Sequence, residues 1–213
     1  MTVDRVVLRE QVKELILSRI LSGEYEPGQR LVETRIAQEL GTSQAPVREA
    51  LRDLELLRFV ESVPFRGARV RAVSKEELAE IYPVRAAIEE VAAREAARRM
   101  TAKLERALER ELKAMREAAQ AGDLHAQVEH DVRFHRLIVE ASGNSILVDV
   151  WRSLRVEART LITALKAGVD NEEIVAMHEP VLAALRSGDP EHAGRALRHH
   201  VERFGELLRR ETE

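Results

Sequence analysis

The stretch GQRLVETRIAQELGTSQAPVREALRDLELLRFVESVPFRGARV, residues 28–70, changes its hydrophobic period partway along, and that change decides the fold of the first third of the chain. Ile36, Ala37 and Leu40 share one face of a short helix from Glu33 to Leu40, and Gly41 stands where a helix stops. Thr42 or Ser43 can cap the next helix. Pro46 falls in its first turn, where a missing N–H costs nothing, and Val47, Leu51 and Leu54 form its inner edge. After Arg58 the pattern becomes a β-type ribbon, FVESVPFRGARVRAV, with Pro64 to Gly67 at its tip. Upstream, Leu8, Val12, Leu15, Ile16 and Ile20 define one face of a further helix, which ends in the turn residues Ser22 to Gly28. Three helices followed by a ribbon is the order of a winged helix-turn-helix.

From Ser74 onward the chain reads as helix throughout. Ser74-Lys75-Glu76-Glu77 has the spacing of a capping box and opens a helix to about Arg99. Further helices are expected near 101–121, 123–142, 144–167, 171–187 and 189–211, broken at Gly122-Asp123, Ser142-Gly143-Asn144, Gly168-Val169-Asp170 and Gly188-Asp189-Pro190. The expected fold is therefore mainly α: a winged helix-turn-helix with a small β-ribbon wing over residues 1–73, then an antiparallel bundle of about six helices over 74–213.

Composition agrees and narrows the function. Of 213 residues, 45% are apolar and 33% charged, but only 3% are aromatic, the balance of helices packed on helices. With no cysteine, disulfide frameworks, thiolate metal sites and cysteine nucleophiles are excluded. The longest stretches without a charge, Leu40–Val47 and Ala141–Val148, are too short to span a membrane, and Asp4 and Glu10 interrupt any signal-peptide core. The expectation is a cytoplasmic protein. A net charge of −3 argues against nucleic-acid binding by bulk attraction, but the charge is uneven. Residues 1–73 hold twelve Lys and Arg against eleven Asp and Glu, whereas the remainder holds twenty-two against twenty-six.

In the third helix Gln44, Arg48 and Arg52 recur at i, i+4 and i+8, opposite the Val47/Leu51/Leu54 edge. Arg pairs with guanine O6 and N7 and Gln with adenine N6 and N7, so this face suits a major groove; a solvated helix face is the plainer alternative. Ser43 and the helix N-terminus can hold a phosphate oxygen, and Arg66-Gly67 can bring a cation to the backbone or minor groove. With RLVE at 30–33 and PVREAL at 46–51, residues 28–70 closely resemble the DNA-binding domain of the GntR family of bacterial transcriptional regulators. The resemblance implies a homodimer on double-stranded DNA carrying a short palindromic operator, with Arg48 reading the half-site and Arg66 touching DNA from the wing. Two positions depart from the family: Thr34 and Gln44 stand where Arg is usual, with Arg35 one place later. These departures imply a changed base preference.

Seven histidines all lie beyond residue 73. Asp131 and His135 are four apart on one helix face, and His178 and His200 fall on the last two expected helices. One carboxylate and three imidazoles suit a borderline divalent ion. Pro180 would kink the helix carrying His178 unless that helix begins just before it. His125, His130, His192 and His199 read as surface residues. The motifs DVRFHRLIVEASGNSIL (131–147) and HEPVLAALRSGDPEHAGRALRHH (178–200) resemble the FCD ligand-binding domain of the FadR subfamily, and a six-helix count resembles its VanR-like branch. The resemblance implies that Asp131, His135, His178 and His200 hold a divalent transition metal, zinc first, with nickel, manganese or iron as alternatives. It also implies an effector pocket at Arg85, in IYPVRAAIE, and at Asn144. An Arg fork complements a carboxylate, although Arg85 can equally pair with Glu89, and Asn144 can simply cap a helix. Tyr82 and Trp151 can wall the pocket or belong to the core.

The sequence thus points to a transcriptional regulator, expected to be a repressor, controlled by a small organic acid bound at a metal, and not to an enzyme. Two alternatives stay open: a regulator whose metal is purely structural, and a helical metal-dependent hydrolase. Against the hydrolase stand the absence of HExxH and of a spare general base other than Glu140 or Glu157.

Overall fold

A computed structural model describes residues 5–63, 67–72, 74–154, 156–167 and 170–207. They fall into two compact units, Met1–Ser74 and Lys75–Glu213.

The first unit runs α1 (Arg5–Leu21), β1 (Arg30–Leu31), α2 (Glu33–Glu39), α3 (Gln44–Leu56), β2 (Val60–Val63) and β3 (Gly67–Val70). Helix α1 packs on α3, and Val12, Ile16, Ile36, Val47, Leu51 and Leu54 close the core between the helices. The sheet is antiparallel in the order β1-β3-β2, with Val60 opposite Val70 and Arg30 opposite Arg69. The third strand, β1, was not apparent in the sequence: two residues carry no period, and the strand exists only because β3 offers it an edge. Glu55 of α3 pins β2 to the helix, its carboxylate accepting from both Ser62 N and Ser62 Oγ at 2.9 Å. Gly41 has φ of 62°, the left-handed conformation that glycine adopts without penalty, and so ends α2 and starts the turn into α3.

The second unit contains α4 (Lys75–Arg98), α5 (Ala102–Gln120), α6 (Leu124–Ala141), α7 (Ser145–Ser153), α8 (Val156–Ala167), α9 (Asn171–Ala176), α10 (Glu179–Arg186) and α11 (Pro190–Leu207). Two expected helices are each divided, 144–167 into α7 and α8 and 171–187 into α9 and α10. Neither division coincides with a Gly, which is why the spacing pattern missed them, and the helix count no longer selects the VanR-like branch. Pro180 lies in the first turn of α10, so it begins a helix instead of kinking one, and His178 becomes its N-cap residue. Thr101, Asp123, Asn144 and Asp170 cap α5, α6, α7 and α9 through their side-chain oxygens.

Leu108, Met115, Phe134, Ile138, Leu185 and Leu197 are fully buried at the centre of the bundle, each side chain worth about 1.5–3 kcal/mol of burial. Helix α11 packs most extensively on α4. Two glycines set that approach: a Cβ at Gly194 would lie 2.8 Å from Arg94 Cγ, and one at Gly205 would lie 2.6 Å from Tyr82 Cβ. Among the described residues no helix is long and apolar enough to cross a membrane.

Candidate functional site

Helix α6, the α9–α10 junction and α11 bring Asp131, His135, His178 and His200 together. All four are buried, and one ligand atom from each lies within 4.8 Å of the others. The orientation of each ring follows from its Nδ1 partner. His178 Nδ1 donates to Ile174 O at 2.8 Å and His200 Nδ1 to Met177 O at 3.1 Å; a carbonyl only accepts, so the proton sits on Nδ1. His135 Nδ1 donates to the Glu89 carboxylate, 2.5 Å from Oε2. Each Nε2 is thereby left with a lone pair facing the same small space.

That space has an electrostatic peculiarity. His135 Nε2 and His200 Nε2 are 3.1 Å apart, two lone pairs face to face. His178 Nε2 lies 3.0 Å from Asp131 Oδ1 without hydrogen-bond alignment, and Asp131 Oδ2 is buried with no partner. Burial pushes the His135 and His200 imidazoles below their ordinary range, and at His200 the neighbouring His178 and His135 add to the effect. Burial also resists ionisation of Asp131, but His178, His135 and Arg85 outweigh it and hold the carboxyl at about 2. Neutral nitrogens and one carboxylate, converging without protons to share, fit a divalent cation.

Arg85 is buried, not on the helix surface. Its Nε donates to Glu89 Oε1 at 2.6 Å and its Nη1 to Thr160 Oγ1 at 3.1 Å. Glu89 also accepts from Trp151 Nε1 at 2.7 Å. The pairing with Glu89 therefore exists, but inside the bundle and beside the histidines. The sequence offered Glu89 only as a surface partner for Arg85, and its place beside the histidines was missed. The available signal was that Arg85 and Glu89 sit on the same face of α4 as Tyr82, Ala86, Ala93 and Ala96, all buried. The Tyr82 hydroxyl, whose pKa burial pushes up so that it stays protonated, is buried without a hydrogen bond, as is Thr163 Oγ1.

Asn144 is exposed, and its Oδ1 accepts from Leu147 N at 3.1 Å as the cap of α7. His125, His192 and His199 are exposed, and His130 is half-buried against Glu111 at 2.8 Å. On α11 His199 is exposed and His200 is buried in the cluster, which separates the two.

In the first unit Ser43, Gln44, Arg48 and Arg52 are exposed along the outer edge of α3, and Arg35 is exposed on α2. Ser43 is the N-cap of α3, but its hydroxyl makes no cap bond. The Arg48 fork is held by Glu33, with Nε 3.0 Å and Nη2 2.8 Å from Oε2. Arg35 pairs with Glu39 at 2.9 Å. An open groove of about 420 Å³ lies between α3 and the sheet, lined by Glu33, Arg48, Arg52, Ser62 and Gly67 among others. Arg66 lies outside the described residues.

Comparison with known proteins bears on both units. The model for gntR-family bacterial regulatory proteins matches residues 8–70, and that for the FCD domain matches residues 80–203. A probable D-xylose utilization operon transcriptional repressor of Paenarthrobacter nicotinovorans is 36% identical over 197 residues, 92% of this chain and 87% of that protein. A gluconate operon transcriptional repressor of Bacillus licheniformis is 29% identical over 177 residues, 80% of this chain and 72% of that protein. Among solved structures, Escherichia coli McbR/YncC matches with a TM-score of 0.80 at 25% identity, covering 100% of both chains.

Proposed function

This chain belongs to the gntR family of bacterial regulatory proteins and carries an FCD domain, and from that premise we propose that it is a repressor whose hold on its operator is controlled by a small organic acid at a metal-containing pocket in the bundle. The convergence of three proton-free Nε2 atoms with an unpartnered Asp131 oxygen carries the reading. Asp131, His135, His178 and His200 would hold a divalent transition metal, zinc first, with nickel, manganese or iron as alternatives. Such an ion supplies positive charge and, where its coordination is open, a position for a carboxylate oxygen. The chain supplies the rest. Arg85 offers its Nη edge as a second clamp, and the buried Tyr82 and Thr163 hydroxyls are suited to ligand hydroxyls. Two relatives bear the names of sugar or sugar-acid operons, so sugar acids are the first carboxylates to test.

On DNA, Gln44 and Arg48 would read base edges, while Ser43, Arg35 and Arg52, with Arg66 from the wing, would engage the phosphates. A palindromic operator needs two copies. Along α4 the positions Glu77, Glu80, Val84, Ala87, Val91, Arg94 and Arg98 repeat at alternating spacings of three and four, with Val84 50% and Val91 46% exposed. An antiparallel pairing of this stripe with its copy sets its acidic start against its basic end, which supports a homodimer through α4.

The test is a mobility-shift assay on operator DNA, with the protein metal-loaded or chelated, across a panel of sugar acids. Release by an acid only when metal is present is the expected result. His178→Ala should lose both the metal, read by elemental analysis, and the response. Release indifferent to every acid, together with unfolding on chelation, would instead make the metal structural.

A further inference from the structure

Of the three imidazoles in the metal centre, two are oriented by backbone carbonyls, Ile174 O and Met177 O, which have no other function to exchange. The third, His135, is oriented by a side chain that serves two further donors. Glu89 is wholly buried, and its two oxygens receive His135 Nδ1, Arg85 Nε and Trp151 Nε1 from three helices, α6, α4 and α7. Burial would raise this carboxyl, but the Arg85 guanidinium and the hydrogen bonds from Arg85 Nε and His135 Nδ1 outweigh it and hold it far below the ordinary carboxylate range. A buried acceptor with three donors is a shared resource. Arg85 and Trp151 share Oε1 while His135 takes Oε2, so one delocalised charge and one side-chain position serve all three, and strengthening one bond weakens the others.

We propose that Glu89 is the positioning residue that couples the metal centre to Arg85 and to helix α7. The proposal rests on the metal reading given above and adds a route for it. When His135 Nε2 donates its lone pair to a cation, the ring becomes more acidic at Nδ1 and pulls harder on Glu89 Oε2. The carboxylate then holds Arg85 and Trp151 less firmly, which frees the Arg85 fork for an incoming acid. An acid that takes Arg85 in turn leaves Glu89 to His135 and Trp151. Both ligands therefore act on α7 through one carboxylate, and α7 carries the exposed Ile146 and Val150 on its outer side.

Trp151 is the only tryptophan in the chain, so its fluorescence reads this route directly. The experiment titrates zinc alone into chelated full-length protein, following heat by calorimetry and Trp151 emission in parallel. Wild type should show an emission change that saturates with zinc. Glu89→Gln has one accepting oxygen in place of two, and should bind zinc about 10- to 100-fold more weakly and lose most of the emission change. Glu89→Asp keeps both oxygens and should restore part of each, which guards against a Gln variant that fails to fold. Zinc binding to wild type with no emission change would overturn the coupling while leaving the metal site standing. Wild-type zinc affinity and emission response in Glu89→Gln would overturn it equally. Absence of zinc binding in wild type, by calorimetry, would remove the metal reading and the coupling with it.

Discussion

The two units use the same ion pair, an arginine against a glutamate, in opposite ways. In the DNA-binding unit Arg48 and Glu33 meet at the surface, their side chains 51% and 32% exposed; in the bundle Arg85 and Glu89 meet at 5% and 0%. An exposed pair is worth about 0–1 kcal/mol, so a base edge or phosphate can replace Glu33 at little cost. A buried pair costs about 3–5 kcal/mol to break by removing one partner, because the survivor is left charged and unsolvated. The surface pair is thus exchangeable, and under the proposed function it would keep Arg48 ordered until DNA takes it. The buried pair changes hands only when another buried charge arrives, as the proposed acid effector would be.

The contrast breaks most readily at the largest effects. Phe134→Ala, at the wholly buried centre of the bundle, should cost about 3–5 kcal/mol of stability, read as a large drop in Tm; a drop of only a degree or two would mean that the bundle is loosely packed. Arg48→Ala should lose about 1–3 kcal/mol of specific operator binding, roughly 10- to 100-fold in Kd, with Tm unchanged. A shift in Tm as large as that of Phe134→Ala would show that Arg48 is structural after all. Asn144→Ala should cost about 1 kcal/mol through the lost α7 cap and leave acid affinity alone; weakened acid binding in isothermal titration would return Asn144 to the pocket.

Acidity sharpens the same comparison. His135 and His200 have folded-state pKa values lowered from 6.5, by burial first. Below pH 6.5 the unfolded chain takes up protons that the folded bundle refuses, so stability of the chelated bundle should fall as pH drops from about 6.5 toward the lowered values. All seven histidines lie in the bundle, so the DNA-binding unit has none to contribute. Thermal melts of chelated protein that are flat from pH 7.5 to 5.5 would contradict the burial of these rings.

What could be read in the sequence was local. The helix-to-ribbon switch after Arg58, the Asn144 cap and the Asp131–His135 spacing all depend on neighbours within a few residues, and the structure keeps each of them, whereas Ser43 takes the cap position of α3 without a cap bond. His178 and His200 reached the same cluster through resemblance, since no period links residues twenty-two apart on separate helices. Strand β1 depends on the edge that β3 offers, whereas the break before α10 has a local signal in Pro180 that the sequence left open. Glu89 was hidden for the opposite reason: in the run Ile88-Glu89-Glu90 it looks like one more solvated acid, and only packing separates it from Glu90, which pairs with Arg94 and Arg198 toward the surface.

The paired glycines of α11 carry a mechanical consequence. His200 stands six residues after Gly194 and five before Gly205, so backbone clamps against α4 flank it on both sides. A beam pinned on either side of its load does not deflect under it. Under the metal reading proposed above, ions of different radius should therefore be accommodated by α6 and the α9–α10 junction, with His200 as the fixed jaw of the vice against which they are sized.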